Sequence, residues 1–337
     1  MSAKPFITAM LLLLSLAAGQ AHALPVSTPS QDRRPPDQTY LTVPEWFLVF
    51  SPEEYADYLG NRPASEFPFL AHIGQFWSSY FEVARASRKF EFNAGYHVMI
   101  AVIGVSTTAE YVLKGLYEQS IGRFAELTAA PPGSAAETPE DQLSARVARD
   151  YVTFIKKRPW YEFDFVSPLR ELWTTTPLAG PHALRKWERR YLLTSEYLVK
   201  AGYAKLIGLA TGVGYAPAAE TTAVIVRYPD VAKDASEHSK IELLNLPRYQ
   251  AFTPAAIALA GDGARFLEIA GNRGDILVTV IHRTDAAAGV GRFLYSQPIL
   301  TRPGLVRTAL VLDVQSLADS LNRLEAAGGE IEHIYDF

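Results

Sequence analysis

Thr221-Thr222-Ala223-Val224-Ile225-Val226-Arg227-Tyr228 is the stretch on which the fold turns. Its β-branched run suits a buried, pleated strand. Upstream, from about Leu41 to Tyr215, apolar residues recur at three- and four-residue spacing, the period of helices. Downstream, Arg265 to Ala270, Asp275 to His282, Phe293 to Leu300, Arg307 to Val314 and Glu330 to Phe337 read as further strands. Thr253-Pro254 starts a short helix among them. Ser316 to Ala327 is a second, with Leu317, Leu321 and Leu324 on one face and Gly328 as its stop. The class implied is α+β: an aromatic-rich helical bundle over 41–217, then a small ferredoxin-like α+β module over 218–337 with one additional hairpin. The boundary falls at 215–220. No internal repeat is legible.

Within the helical part, Ser51-Pro52-Glu53-Glu54 forms a capping box that predicts a short helix ending near Leu59. Pro68 to Ser87 predicts a second, with Phe69, Ile73, Phe76, Trp77, Tyr80 and Phe81 at helical spacing. Asn93 caps a third that runs towards Leu127. Thr138-Pro139-Glu140-Asp141, Ser167-Pro168 and Pro181 start three more. Leu24 to Gln38 is rich in proline, serine and charge, and a disordered linker is expected over 24–40.

The N-terminus predicts export. Lys4 lies in a short n-region, Phe6 to Ala18 is apolar, and Ala21-His22-Ala23 is an A-x-A cleavage site, so a signal peptide over 1–23 is expected. Work in the periplasm, or on the periplasmic face of the inner membrane, excludes dependence on cytosolic nucleotides. The net charge of -4 gives no global field for nucleic acid. The absence of cysteine excludes disulfides, thiolate metal sites and thiol catalysis. With 17 Phe, 17 Tyr and 5 Trp, the chain can build a large aromatic core or present rings to lipid headgroups.

No recognised catalytic motif and no metal-ligand spacing is present, and no cofactor is expected. The candidate polar sites lie on the hairpin of helices two and three. With the turn near Phe90, Glu82 falls level with His97, and His72 roughly level with Glu110; Tyr96 is adjacent. His97 and Glu110 lie about 140° apart around one helix axis, so both pairs do not face one partner comfortably. A structural buried pair is the plain alternative to a catalytic one. Levels roughly 16 Å apart disfavour a haem held between His72 and His97. Glu162 and Asp164, on one side of an extended connector, are a paired carboxylate. Val98 to Val105 is the most apolar helical stretch of the mature chain, and its length fits a core helix better than a span. Arg185, Lys186, Arg189 and Arg190 surround Trp187 on the sixth helix, a pattern that can dock on anionic lipid or pair with the acidic connector of Glu162 and Asp164 or with Glu residues of the first helix. His282 and His333 sit on apolar strand faces, as core-edge histidines do.

Four blocks carry a resemblance: Thr42-Val43-Pro44-Glu45-Trp46-Phe47, Gly95-Tyr96-His97-Val98-Met99-Ile100-Ala101-Val102-Ile103-Gly104, Arg158-Pro159-Trp160-Tyr161-Glu162-Phe163 and Arg185-Lys186-Trp187-Glu188-Arg189. Over about 40–210 the chain resembles a family of uncharacterised exported bacterial proteins. The resemblance implies export and assigns neither an activity nor a functional residue. The function expected is a non-enzymatic envelope protein that binds a partner protein or the membrane surface. The alternative is an enzyme or small-ligand binder with a pocket near Glu82 and His97.

Overall fold

The computed structural model describes residues 26–129, 138–211, 220–229, 240–283 and 289–336. The expected signal peptide, and most of the expected boundary at 215–220, lie outside the described residues.

Helix α1 spans Gln38–Leu59, starting well before Ser51. It runs through Pro44 and Pro52. Each proline removes a helical N–H, at about 3 kcal/mol in a helix interior. Burial of Tyr40, Val43, Trp46, Phe47, Phe50 and Tyr55 offsets that cost. Ser51 therefore caps nothing and is free to bond elsewhere. The linker expected over 24–40 is also corrected where it is described. The Thr28 amide donates to Glu268 (3.2 Å) and the Arg34 amide to the Ala270 carbonyl (2.9 Å), so this segment lies against the sheet part.

Helix α2 (Phe69–Ala86) and helix α3 (Ala94–Tyr117) form the expected antiparallel hairpin. Phe69 meets Tyr111, Phe76 meets Gly104, and Tyr80 meets His97. Gly104 is required by this approach, because a Cβ there would stand 2.4 Å from the Phe76 ring. Asn93 caps α3 by accepting from the Tyr96 amide. A π turn, Glu118–Gly122, carries α3 into α4 (Arg123–Leu127), making one helix of 34 residues. Thr138 caps α5 (Pro139–Ile155), which packs along α1. Two more helices complete this part, α6 (Val166–Thr174) and α7 (Ala183–Thr211).

The sheet part holds seven described strands in two antiparallel sheets: β1 (Thr221–Arg227), β2 (Ile241–Pro247), β3 (Arg265–Ile269), β4 (Asp275–His282), β5 (Arg292–Pro298), β6 (Val306–Asp313) and β7 (Glu330–Ile334). The orders are β2-β1-β3 and β5-β6-β4-β7. Helix α8 (Phe252–Gly261) precedes β3, and α9 (Leu317–Ala326) precedes β7. The α+β class holds. Strand β2 has no counterpart in the sequence reading.

A repeat that the sequence hides is plain in the strand register. The order β1-β2-α8-β3 recurs as β4-β6-α9-β7, with β5 added. Val224 faces Ile269 in the first unit as Val278 faces Ile334 in the second. The register slips between Ile225 and Val226 in one and between Thr279 and Val280 in the other. Each helix is followed by a left-handed glycine, Gly263 (φ 80°) and Gly328 (φ 82°). One difference stands out. Thr221 faces Pro247 as Asp275 faces Asp313, and each second strand leads into a 3-10 turn. Asp313 is followed directly by its turn at Val314, whereas Arg248 is interposed before the turn at Tyr249.

Helices α8 and α9 cover one face of the sheets, burying Val224, Phe252, Phe266, Val278, Leu310 and Leu321. The opposite face of the second sheet buries Leu277, Tyr295, Val311 and Tyr335 against Tyr40, Val43, Trp46 and Phe50 of α1. The helical part and the sheet part thus share a core.

Candidate functional site

The hairpin does not unite its expected pairs. Glu82 binds Arg85 one turn along its own helix (2.8 Å). His97 bonds through Nδ1 to the Tyr80 hydroxyl (3.1 Å) and stacks on Phe92 with centroids 4.8 Å apart. Tyr96 points inward, where its hydroxyl donates to Glu45 (2.6 Å) and contacts the Leu41 carbonyl. Burial holds Glu45 above the usual carboxylate range despite that bond. Glu110 reaches Lys200 of α7 (2.9 Å), not His72. Lys200 and Lys114 both bind Glu196, at 2.8 and 3.1 Å. The two lysines hold Glu196 well below the usual carboxylate range, although burial alone would raise it. The other expected carboxylate pair is also divided. Glu162 binds Arg158, and Asp164 accepts from the Val166 and Ser167 amides at the start of α6.

His72 does meet a carboxylate, from α1. Ser51 Oγ lies 3.0 Å from His72 Nδ1 and 3.0 Å from the Tyr111 hydroxyl, and His72 Nε2 lies 3.7 Å from Glu54. Glu54 in turn accepts from Arg307 (3.0 Å) and Thr301 (3.1 Å), and Arg307 forks onto Glu332. The residue types are those of a nucleophile, base and acid. The surroundings are structural: Ser51, His72 and Glu54 are all buried, and the adjoining cavity is about 10 Å3. Burial and the nearby Arg307 push the His72 imidazole down to about 4, leaving it neutral. The centre joins α1, α2 and α3 to β6 and has no room for a substrate.

The basic cluster on α7 is not the surface it was expected to be. Arg185, Lys186, Arg189 and Arg190 are all buried. Arg189 forks onto Glu118 with two bonds of 2.8 Å and also binds Glu188. Arg185 binds Asp141 (2.8 Å) and the Gly122 carbonyl. Arg190 binds Glu140 (2.6 Å), to which Lys186 is also close (3.8 Å). The charges are spent inside the fold, tying α7 to the π turn and to α5. Gly122 is required here, because a Cβ would stand 2.6 Å from a Glu118 oxygen. Trp187 alone of the five is exposed. Among the described residues, no group of three or more His, Asp or Glu side chains is placed to hold a metal.

The surface that does stand out is apolar. Val98, Val102, Val105, Leu113, Leu116, Phe124 and Leu127 are each more than half exposed along one helix. Helix α3, expected in the core, has only 22% of its most apolar window buried. Ile100, Gly104, Tyr111 and Gly115 face inward instead, so α3 has two apolar faces and packs only one. With Ala109 and Ser120, the outward residues recur as 98-102-105, 109-113-116 and 120-124-127. Along α3 such an eleven-residue recurrence drifts by about 20° per repeat, and beyond the π turn Phe124 and Leu127 are again exposed. Helix α7 exposes a second set, including Leu184, Tyr191, Leu198, Val199, Leu206 and Leu209. The sequence signal was available in the doubled periodicity of α3, but periodicity does not say which face is buried.

Comparison with known proteins returned no match, neither a family model, nor a curated protein, nor a solved structure.

Proposed function

We propose that this protein docks on a lipid bilayer through the outward stripe of the helix Ala94–Leu127, as an exported protein on the periplasmic face of the inner membrane. The N-terminal export pattern supports the location, and the stripe carries the docking. From Val98 to Leu127 it extends about 44 Å at 1.5 Å per residue, and Ser120 is its one polar position. Monomers in water rarely leave contiguous apolar patches above a few hundred Å2 uncovered. The helix lies along the surface and does not cross it. Its inner face is committed to α2, and its flank carries Glu110 and Lys114, bonded to α7. Crossing would draw such charges into hydrocarbon at about 2.5–3.5 kcal/mol each on insertion scales. An in-plane amphipathic helix needs only its apolar side immersed. The sheet part, with its two antiparallel sheets, braces the helices from behind.

Vesicle flotation tests this reading. The full chain should float with phosphatidylethanolamine–phosphatidylglycerol vesicles. Val102→Lys with Leu113→Lys, both on exposed positions, should abolish flotation and leave the circular dichroism unchanged. A chain that does not float, or a double variant that floats as well as the original, overturns it. So does light scattering that shows a stable dimer dissociated by the same substitutions.

A further inference from the structure

Strand β2 is an open edge. The Tyr228 amide donates to the Lys240 carbonyl and the Arg248 amide to the Glu220 carbonyl, so the even-numbered residues of β2 turn their backbone groups to β1. Ile241, Leu243 and Asn245 therefore turn their N–H and C=O groups outward, because bonding alternates along an antiparallel strand. Among the described residues nothing bonds these outward groups. Leu244 and Leu246 pack into the core under α8, while Ile241 and Leu243, on the other face, are each 39% exposed. We propose that this edge pairs with β2 of a second copy of the chain, antiparallel about a two-fold axis at Leu243, so that two three-stranded sheets become one.

The repeat shows what such an edge takes. With Thr221 and Pro247 matched to Asp275 and Asp313, β2 corresponds to β6. Leu243 then matches Ala309, and Asn245 matches Val311. On β6 the edge is filled: β5 lies antiparallel along Val306 to Val311, the counterpart of Lys240 to Asn245. Ala309 and Val311 are buried in the core shared with α1. The first unit has the same edge and no described strand of its own to fill it.

The other described edges are closed. Strands β3, β5 and β7 each slip register against their neighbour. The Arg34 amide reaches the Ala270 carbonyl beside β3 (2.9 Å), Gln75 of α2 donates to the Pro298 carbonyl of β5 (2.7 Å), and the Ile334 amide of β7 donates to Thr253 (2.9 Å). Strand β2 keeps one register over all its 7 residues. Bulges and covers protect sheet edges, and an edge without them is a template for another strand. With one open edge per chain, association closes at two copies.

Symmetry selects the occupant. A two-fold copy of an edge strand is antiparallel to it, the orientation that β5 has on β6. An axis at Leu243 sets outward groups against outward groups, Leu243 opposite Leu243 and Ile241 opposite Asn245, for about six backbone bonds. Glu242, bound to Lys240 of its own strand (2.5 Å), falls opposite Leu244. Moving the axis by one residue would set Glu242 against Glu242, and like charges directly opposite are destabilising.

Sedimentation of the full chain in detergent-free buffer tests this. One strand edge is small against the roughly 1,200–2,000 Å2 of stable interfaces, so a reversible dimer is expected. Leu243→Pro should weaken it about tenfold or more. The N–H lost at that position points away from β1, so the β1–β2 ladder keeps its bonds. Leu243→Lys leaves the backbone untouched and should dissociate the dimer equally, which decides the matter if the proline variant unfolds. Because the chain has no cysteine, Leu243→Cys introduces a single thiol. At the axis its Cα stands about 5.5 Å from its mate, within disulfide reach, so mild oxidation should give covalent dimers. Phe293→Cys, exposed on β5, should give few. Val102→Lys with Leu113→Lys should dimerise as the original does, which separates this seam from the docking stripe. A chain that stays monomeric at about 200 µM overturns the proposal. So does a folded Leu243→Lys chain that dimerises as before, a dimer lost with the stripe substitutions, or Phe293→Cys crosslinking as readily as Leu243→Cys.

Discussion

His333 lies against Trp46 with ring centroids 3.7 Å apart, and neither of its ring nitrogens has a hydrogen-bond partner. Phe50 and Tyr335 close the remaining sides. Burial alone pushes this imidazole down to about 3, so it is neutral through the physiological range. A depressed folded value gives stability that is present above the ordinary 6.5 and lost as pH falls towards 3. His333→Phe should remove two unpaired polar atoms and stabilise the protein by about 1–2 kcal/mol at neutral pH. It should also reduce the acid loss, leaving the part due to His72. Urea midpoints at pH 7 and pH 4 measure both effects, and an acid loss as steep as the original would refute the assignment.

Asp336 behaves in the opposite sense. Burial raises its carboxyl to about 7 in spite of the hydrogen bond from Thr222 (2.7 Å). A raised folded value gives stability that is full below the ordinary 3.8 and lost as pH rises through 7. Asp336→Asn keeps an acceptor for Thr222 without the charge. It should be more stable than the original at pH 8, by at most about 4 kcal/mol at 1.36 kcal/mol per unit. Thermal unfolding across pH 5 to 8 should show the variant flatter than the original.

The buried Arg189–Glu118 pair should be costly to break and cheap to replace. Arg189→Met leaves Glu118 charged and unpaired, and should cost about 3–5 kcal/mol. Arg189→Met with Glu118→Leu should recover much of that. Denaturant unfolding of the two variants checks it, and a double variant weaker than the single would show that Glu188 depends on Arg189.

Tyr249→Gly should raise stability by about 1–2 kcal/mol, the cost of a left-handed backbone at a residue with a Cβ. A melting temperature that falls would mean that packing of the ring outweighs the strain.

Local signals were legible and long-range ones were not. Asn93 and Thr138 cap the helices they were expected to start, and the strands from Arg265 onward lie close to their expected bounds. Caps and alternation act over a few residues, so the sequence carries them. The fate of Arg185, Arg189 and Arg190 depends on Glu118, Glu140 and Asp141, far away along the chain, and no local pattern records that pairing. Helix α1 reads as starting at Ser51 because Ser51-Pro52-Glu53-Glu54 has the pattern of a capping box, while the burial that carries the helix back to Gln38 comes partly from β4 to β7. The repeat stayed hidden because register and bulge position are shared where side chains are not. Leu259 and Leu324, Gly263 and Gly328, and Ile269 and Ile334 are among the few identities between the α8–β3 and α9–β7 segments.

Thr39, near the start of α1, donates to the Tyr335 carbonyl (2.9 Å) and accepts from the Leu277 amide (3.0 Å). The first long helix is therefore finished by the last strand. Synthesis delivers α1 long before the surface that covers Tyr40, Trp46 and Phe50 exists. Closing a loop of nearly the whole chain is entropically expensive, and folds that depend on such contacts form slowly. The aromatic residues of α1 stay uncovered through that interval, and the α1–sheet core forms only once the segment from β4 to Tyr335 has been made.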